Sequence, residues 1–259
     1  MDLGGPGAVG AVAVARLGGE ALLIGRRGDD AAGEEVEARL RAEAVDTSAL
    51  RSFPGATTPV SGILVEPGGE RHIFPFVGAG LADDAGWIPL DALKRVQAVL
   101  VDSRWPAGAM RLAVAARRRE LPVVLDLDQE GVEAWRIVTV ATHVIADEEL
   151  AAAHGGVGAM IEDITRQGSW GAVTLGAGGV AYPGGSLPAF RITPRDTTGA
   201  GDVFHGAFTL SLAEGYDEGY ALAFASAAGA QRCALAEVPR RSDVISLLGR
   251  RGGLPESGI

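Results

Sequence analysis

The chain has 259 residues, 47% apolar and 38 of them glycine, enough for one α/β domain that buries roughly 70–75% of its unfolded surface. A formal net charge of -10 and a pI near 4.9 argue against a nucleic-acid backbone as partner. Cys233 is the single cysteine, which excludes an internal disulfide or a cysteine-based zinc site and fits a reducing cytoplasm.

In chain order, Pro6 to Leu17 reads as a buried, small-residue helix closed by Gly18 and Gly19. The apolar run from Ala8 to Ile24 is broken by Arg16, Gly18, Gly19 and Glu20, so it is no membrane span, and it lacks the basic flank of a signal peptide. Ala21–Ile24 reads as a short buried strand, and an amphipathic helix starts near Asp30. Alternating residues on both sides of "EPGGE" predict a hairpin from Val60 to Phe76, an excursion from the main sheet within residues 56–77. From Leu90 onward strands and helices alternate. Strands are predicted at 98–102, 122–128, 142–147 and 171–176, with helices between them and a helical last third (199–213, 216–233, 241–248). Such alternation implies an α/β fold with a mainly parallel sheet and helices on both faces. Several strands end in polar residues, Asp102, Asp126 with Asp128, Asp147 and Thr174, where chemistry belongs in this architecture.

Two glycine patterns compete for the function. Gly5, Gly7 and Gly10 complete a G-x-G-x-x-G, and Arg26 and Arg27 stand past the next strand, as in an NADP-dependent oxidoreductase. That reading needs a strand before the first glycine, and only three residues precede Gly4. The stretch "RDTTGAGDVFHGAF", Arg195 to Phe208, says more. Glycines 199 and 201 open a helix with Asp202 in its first turn, giving bare N–H groups and a helix dipole for an anion beside a carboxylate that can take a proton. Those are the two parts that phosphoryl transfer to an alcohol needs. The plainer alternative is a Gly-rich turn whose acid complements the dipole. His72, His143 and His154 show no metal-ligand spacing, and His205 reads as facing out of its helix, touching nucleotide or merely packing, with packing favoured. No serine-hydrolase or P-loop motif is present.

"DTTGAGDVFHGAF" resembles the C-terminal signature of the ribokinase-like, pfkB-type carbohydrate kinases. "GGPGAVGAVAVARLG" followed by "LLIGRRGDDAAG", with Gly25, Gly28, Asp30 and Gly33 in the second pattern, resembles their N-terminal signature. The combination with "DSRWPAGA" looks most like a sulfofructose kinase and ketohexokinase-like branch. The resemblance runs from Gly4 to about Leu248. It implies a three-layer α/β/α fold with a small β lid, and an ATP-dependent kinase acting on a primary hydroxyl of a ketose or sulfo-sugar. It implies Asp202 as general base, the N–H groups of Gly199, Ala200 and Gly201 as anion hole, and Thr198 near the nucleotide. "VTLGAGGV" resembles the family's nucleotide loop, giving Thr174, Gly176 and Gly179, whose plainer reading is a loose glycine turn. Gly4 and Gly5 would approach the sugar. Arg104 would hold an anionic or hydroxyl-rich end of it, or else lie on the surface stacked on Trp105.

The resemblance also implies Mg²⁺, organised through water by Glu149 with Asp147 in support, although Ala146 stands where the family has asparagine. A capped acidic helix start is the alternative there. It implies a monovalent cation beside a loop that is here shortened between Cys233 and Pro239, and a homodimer through the lid. Family members begin with a strand carrying a sugar-binding aspartate, so a strand position beside Ala21–Ile24 and part of the lid are expected to be missing. A non-catalytic relative on the same scaffold is the remaining alternative.

Overall fold

The computed structural model describes residues 3–65 and 71–250. Its centre is a six-stranded sheet in the order β10-β9-β8-β7-β6-β5. Strands β5 (Val99–Asp102), β6 (Val123–Leu127), β7 (His143–Asp147) and β8 (Trp170–Thr174) run parallel, and β9 (Val180–Tyr182) and β10 (Gly185–Leu187) close one edge antiparallel. Alternation along the strands sends side chains to two cores. Val124, Ile145 and Ala172 face one core with helices α1 (Pro6–Arg16), α7 (Ala200–Ala213), α8 (Glu218–Leu235) and α9 (Arg241–Gly249). Val123, Leu125, Leu127, Val144, Ala146 and Val173 face the other, under α3 (Pro106–Arg117), α4 (Val132–Val138), α5 (Glu148–Ala153) and α6 (Val157–Arg166). This is the three-layer α/β/α arrangement the sequence predicts.

The registers bring Asp102 opposite Asp126 and Asp147 opposite Thr174, so the polar strand ends share one edge of the sheet. A separate parallel ribbon joins β1 (Gly25–Gly28) to β2 (Leu50–Phe53), and among the described residues it pairs with neither edge of the large sheet. Helix α2 (Ala31–Ala42) starts on the Asp30 carboxylate, which accepts from the Gly33 N–H and from the hydroxyl and N–H of Thr58. Those bonds tie the ribbon to the base of a hairpin, β3 (Val60–Val65) and β4 (Arg71–Phe76), whose ends pair Val60 with Phe76 as predicted. The predicted turn at 66–70 lies outside the described residues.

Several boundaries differ from the expectation. Ala21–Ile24 makes one bridge, Leu22 to Asp46, and the regular ladder falls on the next four residues. Ala21 and Leu23 pack with Leu40 and Val45 under α1, so that apolar run marks burial rather than strand pairing. Strand β8 ends at Thr174 because Leu175 folds back, its N–H reaching the Gly179 carbonyl at 2.8 Å. Strand β2, helix α4 and the β9–β10 hairpin are too short to show a period. No helix among the described residues is long and apolar enough to cross a membrane.

Candidate active site

The turn into α7 is fixed from behind. Asp196 accepts from the Thr198 N–H at 3.0 Å and pairs with Arg232 at 3.1 Å, while the N–H groups of Arg195 and Asp196 both reach the Cys233 carbonyl on α8. Burial opposes ionisation of Asp196, but the Thr198 donors and Arg232 outweigh it and hold the carboxyl well below its ordinary range. Gly199 then takes φ 72°, ψ 10°, a left-handed conformation in which a side chain is strained, and caps α7. The N–H groups of Gly199 and Gly201 have no partner among the described residues. That of Ala200 donates to the Thr197 carbonyl at 3.3 Å, so it is shared with the turn and is not the bare donor expected.

Asp202 stands half-buried at the third position of α7. Burial pushes its carboxyl up; the His205 imidazole pulls it down, Asp128 and Asp102 push it up and Arg104 pulls it down. Apart from His205 on α7, these neighbours come from the ends of β5 and β6. Asp102 accepts from the Arg104 N–H at 2.8 Å, and the Arg104 guanidinium is ion-paired with Asp128. Asp102 is raised by burial, and Asp126, 5% exposed inside β6, is raised to about 7, chiefly by burial. The entry to α1 completes this side. Gly5 caps α1 at φ 90°, and a Cβ on Gly7 would lie 3.4 Å from an Asp102 carboxylate oxygen. Gly4 and Gly5 are exposed at the same end. Helix α1 is held against α7 by two glycines in contact: a Cβ on Gly206 would meet the Gly10 carbonyl oxygen at 2.5 Å.

The remaining residues lie at the neighbouring strand ends. The Thr174 hydroxyl reaches the Ala146 carbonyl at 3.4 Å. Asp147 caps α5 by accepting from the Leu150 N–H at 2.6 Å, and Glu149 is exposed in that helix's first turn. Gly176 is exposed in the loop after β8, and Gly179, at φ 99°, lies against the backbone of Leu187–Ala189, so its first duty is packing. Helix α8 runs to Leu235 and Ala236 ends it in a left-handed conformation, so the shortened 233–239 stretch is a helix terminus.

Three expectations are corrected. Arg104 does not stack on Trp105; the cation over that ring is Arg26, at 4.6 Å. Arg26 also binds the Ala82 carbonyl and Asp83, and Arg27 pairs with Glu37, so both arginines of the NADP reading are engaged elsewhere and Gly10 serves helix packing. His205 does not face out. It is 6% exposed with its ring against the Ile145 carbonyl of the sheet, which bears out the packing reading. The sequence marks Asp126 and Asp128 only as polar strand ends and gives Arg232 no role, although an aspartate inside an otherwise apolar strand is itself a signal, because a buried carboxylate needs partners.

Comparison with known proteins agrees with this fold. The profile of the pfkB family of carbohydrate kinases matches residues 1–237. The chain is 29% identical to ribokinase of Bacillus subtilis (strain 168), over 95% of this chain and 87% of that protein. It is 28% identical to fructokinase-1 of Zea mays, over 95% and 88%. A crystal structure of a putative ribokinase from Agrobacterium tumefaciens superposes with a TM-score of 0.88 at 30% identity, covering 96% of this chain and 86% of that one. The chain belongs to the pfkB family and is an ATP-dependent carbohydrate kinase.

Proposed function

We propose that this kinase transfers the γ-phosphoryl group of ATP to a primary hydroxyl of a neutral, ketose-type sugar, with Asp202 as general base. The carrying observation is the placement of a half-buried carboxylate in the first turn of α7, beside N–H groups of Gly199 and Gly201 that lack partners among the described residues. Asp202 takes the hydroxyl proton as the alcohol oxygen bonds to phosphorus, and the bond from phosphorus to the leaving ADP oxygen breaks. The two N–H groups, with the shared N–H of Ala200, stabilise the phosphoryl oxygens.

The sugar sits between the entry to α1, at Gly4 and Gly5, and the ends of β5 and β6. Arg104 is already paired with Asp128, and Asp102 and Asp202 stand close to it. That excess of carboxylates repels a sulfonate or phosphate and supplies acceptors for hydroxyls, which favours the ketose over the sulfo-sugar. Both relatives, ribokinase and fructokinase, are named for neutral sugars, and the fructokinase name supports a ketose among them.

ATP would lie along Thr174, Gly176, Gly179 and Thr198; a solved neighbour of the same fold, Arabidopsis thaliana ribokinase, was crystallised with ribose and ATP. Among the described residues no three His, Cys, Asp or Glu side chains gather to hold a metal, which suits an ion carried on the nucleotide. The hard oxygens of Asp147 and Glu149 fit Mg²⁺ through water. Bound there, Mg²⁺ would neutralise phosphate charge. The hairpin leaves Phe74 63% and Phe76 52% exposed, and we assign that face to a homodimer contact. The direct test is ADP release with ATP and Mg²⁺ over ketoses, aldoses, nucleosides and sugar sulfonates. Turnover with neutral ketoses supports the reading. Turnover with sulfonates alone overturns the sugar class, and none with any acceptor returns the chain to a non-catalytic relative.

A further inference from the structure

His205 lies three residues past Asp202 on α7, inside the protein. Its Nδ1 is 2.8 Å from the Gly201 carbonyl oxygen and 3.5 Å from Asp126 Oδ2, and its Nε2 is 3.4 Å from the Ile145 carbonyl oxygen on β7. A carbonyl oxygen only accepts. A neutral imidazole has one proton to give and would turn a lone pair toward one of these oxygens, whereas the doubly protonated ring donates to both. A buried cation needs a counter-ion; Asp126, 5% exposed, stands in place for it, and the His205 charge is the main influence opposing the burial that pushes its carboxyl up.

We propose that His205, held as an imidazolium by Asp126, is a positioning residue that keeps Asp202 ionised for proton abstraction. This rests on the reading of Asp202 as general base. The surroundings favour such a charge. Asp102 from the end of β5, Asp128 from the end of β6 and burial itself all work against the Asp202 carboxylate, while His205 and Arg104 favour it. Arg104 is half exposed and already paired with Asp128, so the enclosed imidazolium is the less screened of the two. The same charge offsets the crowding of Asp126 by Asp128, Asp202 and Asp102.

Two measurements test this on the full chain. ¹⁵N NMR of the wild-type protein at pH 7 reads the ring directly, with no substrate. Two protonated ring nitrogens on His205 are expected, with one of them lost in Asp126→Asn. The second measurement is the pH profile of kcat/KM for the phosphorylated sugar. His205→Asn keeps an amide donor for the Gly201 carbonyl but removes the charge, and should move the acid limb up by about one pH unit. A merely structural His205 would lower the thermal midpoint and leave the limb in place. A single protonated nitrogen in the wild type overturns the proposal, as does an unmoved limb in a folded His205→Asn variant. Because the NMR experiment needs no turnover, a chain that phosphorylates no sugar defeats the reading of Asp202 and still leaves the state of His205 decided.

Discussion

Gly206→Ala puts one methyl group between the two helices whose N-termini build the site. The new Cβ would stand 2.5 Å from the Gly10 carbonyl oxygen, 3.0 Å from the Ala13 Cβ and 3.1 Å from the Gly10 Cα. Carbon contacts are comfortable at about 3.5 Å or more, so α1 and α7 must part by several tenths of an ångström. Backbone on one side and a buried alanine on the other leave no flexible side chain to move aside. Overpacking of this kind costs about 1–3 kcal/mol. Replacing a helical glycine returns about 1 kcal/mol, which leaves a net loss of up to about 2 kcal/mol, or up to roughly 8 °C in melting midpoint. The displacement is carried to the ends of the helices, Gly5 on α1 and Gly199–Asp202 on α7, so KM for the sugar should rise with the loss of stability. Urea melting and initial-rate kinetics on the purified variant measure both. A Gly206→Ala protein as stable as the parent, with unchanged KM, refutes the claim that this contact sets the spacing of the site.

Arg104→Ala should raise KM for the sugar by roughly tenfold to a hundredfold, the value of a charge-assisted hydrogen bond, and leave KM for ATP alone; equal sugar kinetics would return Arg104 to the surface. Asp196→Asn removes a carboxyl whose folded value is depressed, so its stabilisation is present above about pH 4 and is lost as pH falls through that range. The side chain is about a third exposed, so the variant should lose only about 1–2 kcal/mol at pH 7, with the gap to the parent closing below about pH 4 in urea melts at both pH values. Replacing Phe74 and Phe76 together by serine should shift sedimentation from dimer toward monomer without unfolding the chain, and an unchanged sedimentation coefficient would remove the hairpin from the interface.

What the sequence made legible follows from how local each signal is. The α7 turn could be read because glycine, acid and helix start stand within a few residues, and the hairpin because period-two alternation flanks a turn on both sides. The alternation of strand and helix from Val99 onward could be read because those strands are buried on both faces. The partners that hold the site together could not. Arg232 meets Asp196 across 36 residues, Arg104 meets Asp128 across 24, and the His205 ring reaches Ile145 across 60. Nothing in the local pattern links such pairs. Helix periodicity misplaced His205 because α7 is buried on nearly every side, from Val203 to Ser211, leaving little solvent face to read. Gly10 misled for the opposite reason: a tight helix contact and a pyrophosphate loop ask for the same small residue.

The most direct test of the account is Asp202→Asn, which keeps the size of the side chain and the turn around it and removes the base. The variant's kcat is expected to be lower by roughly 10²–10⁴, with ATP affinity, read by nucleotide titration, close to the parent's. Turnover equal to the parent's in the folded variant would contradict the assignment of Asp202 as the group that takes the sugar's proton.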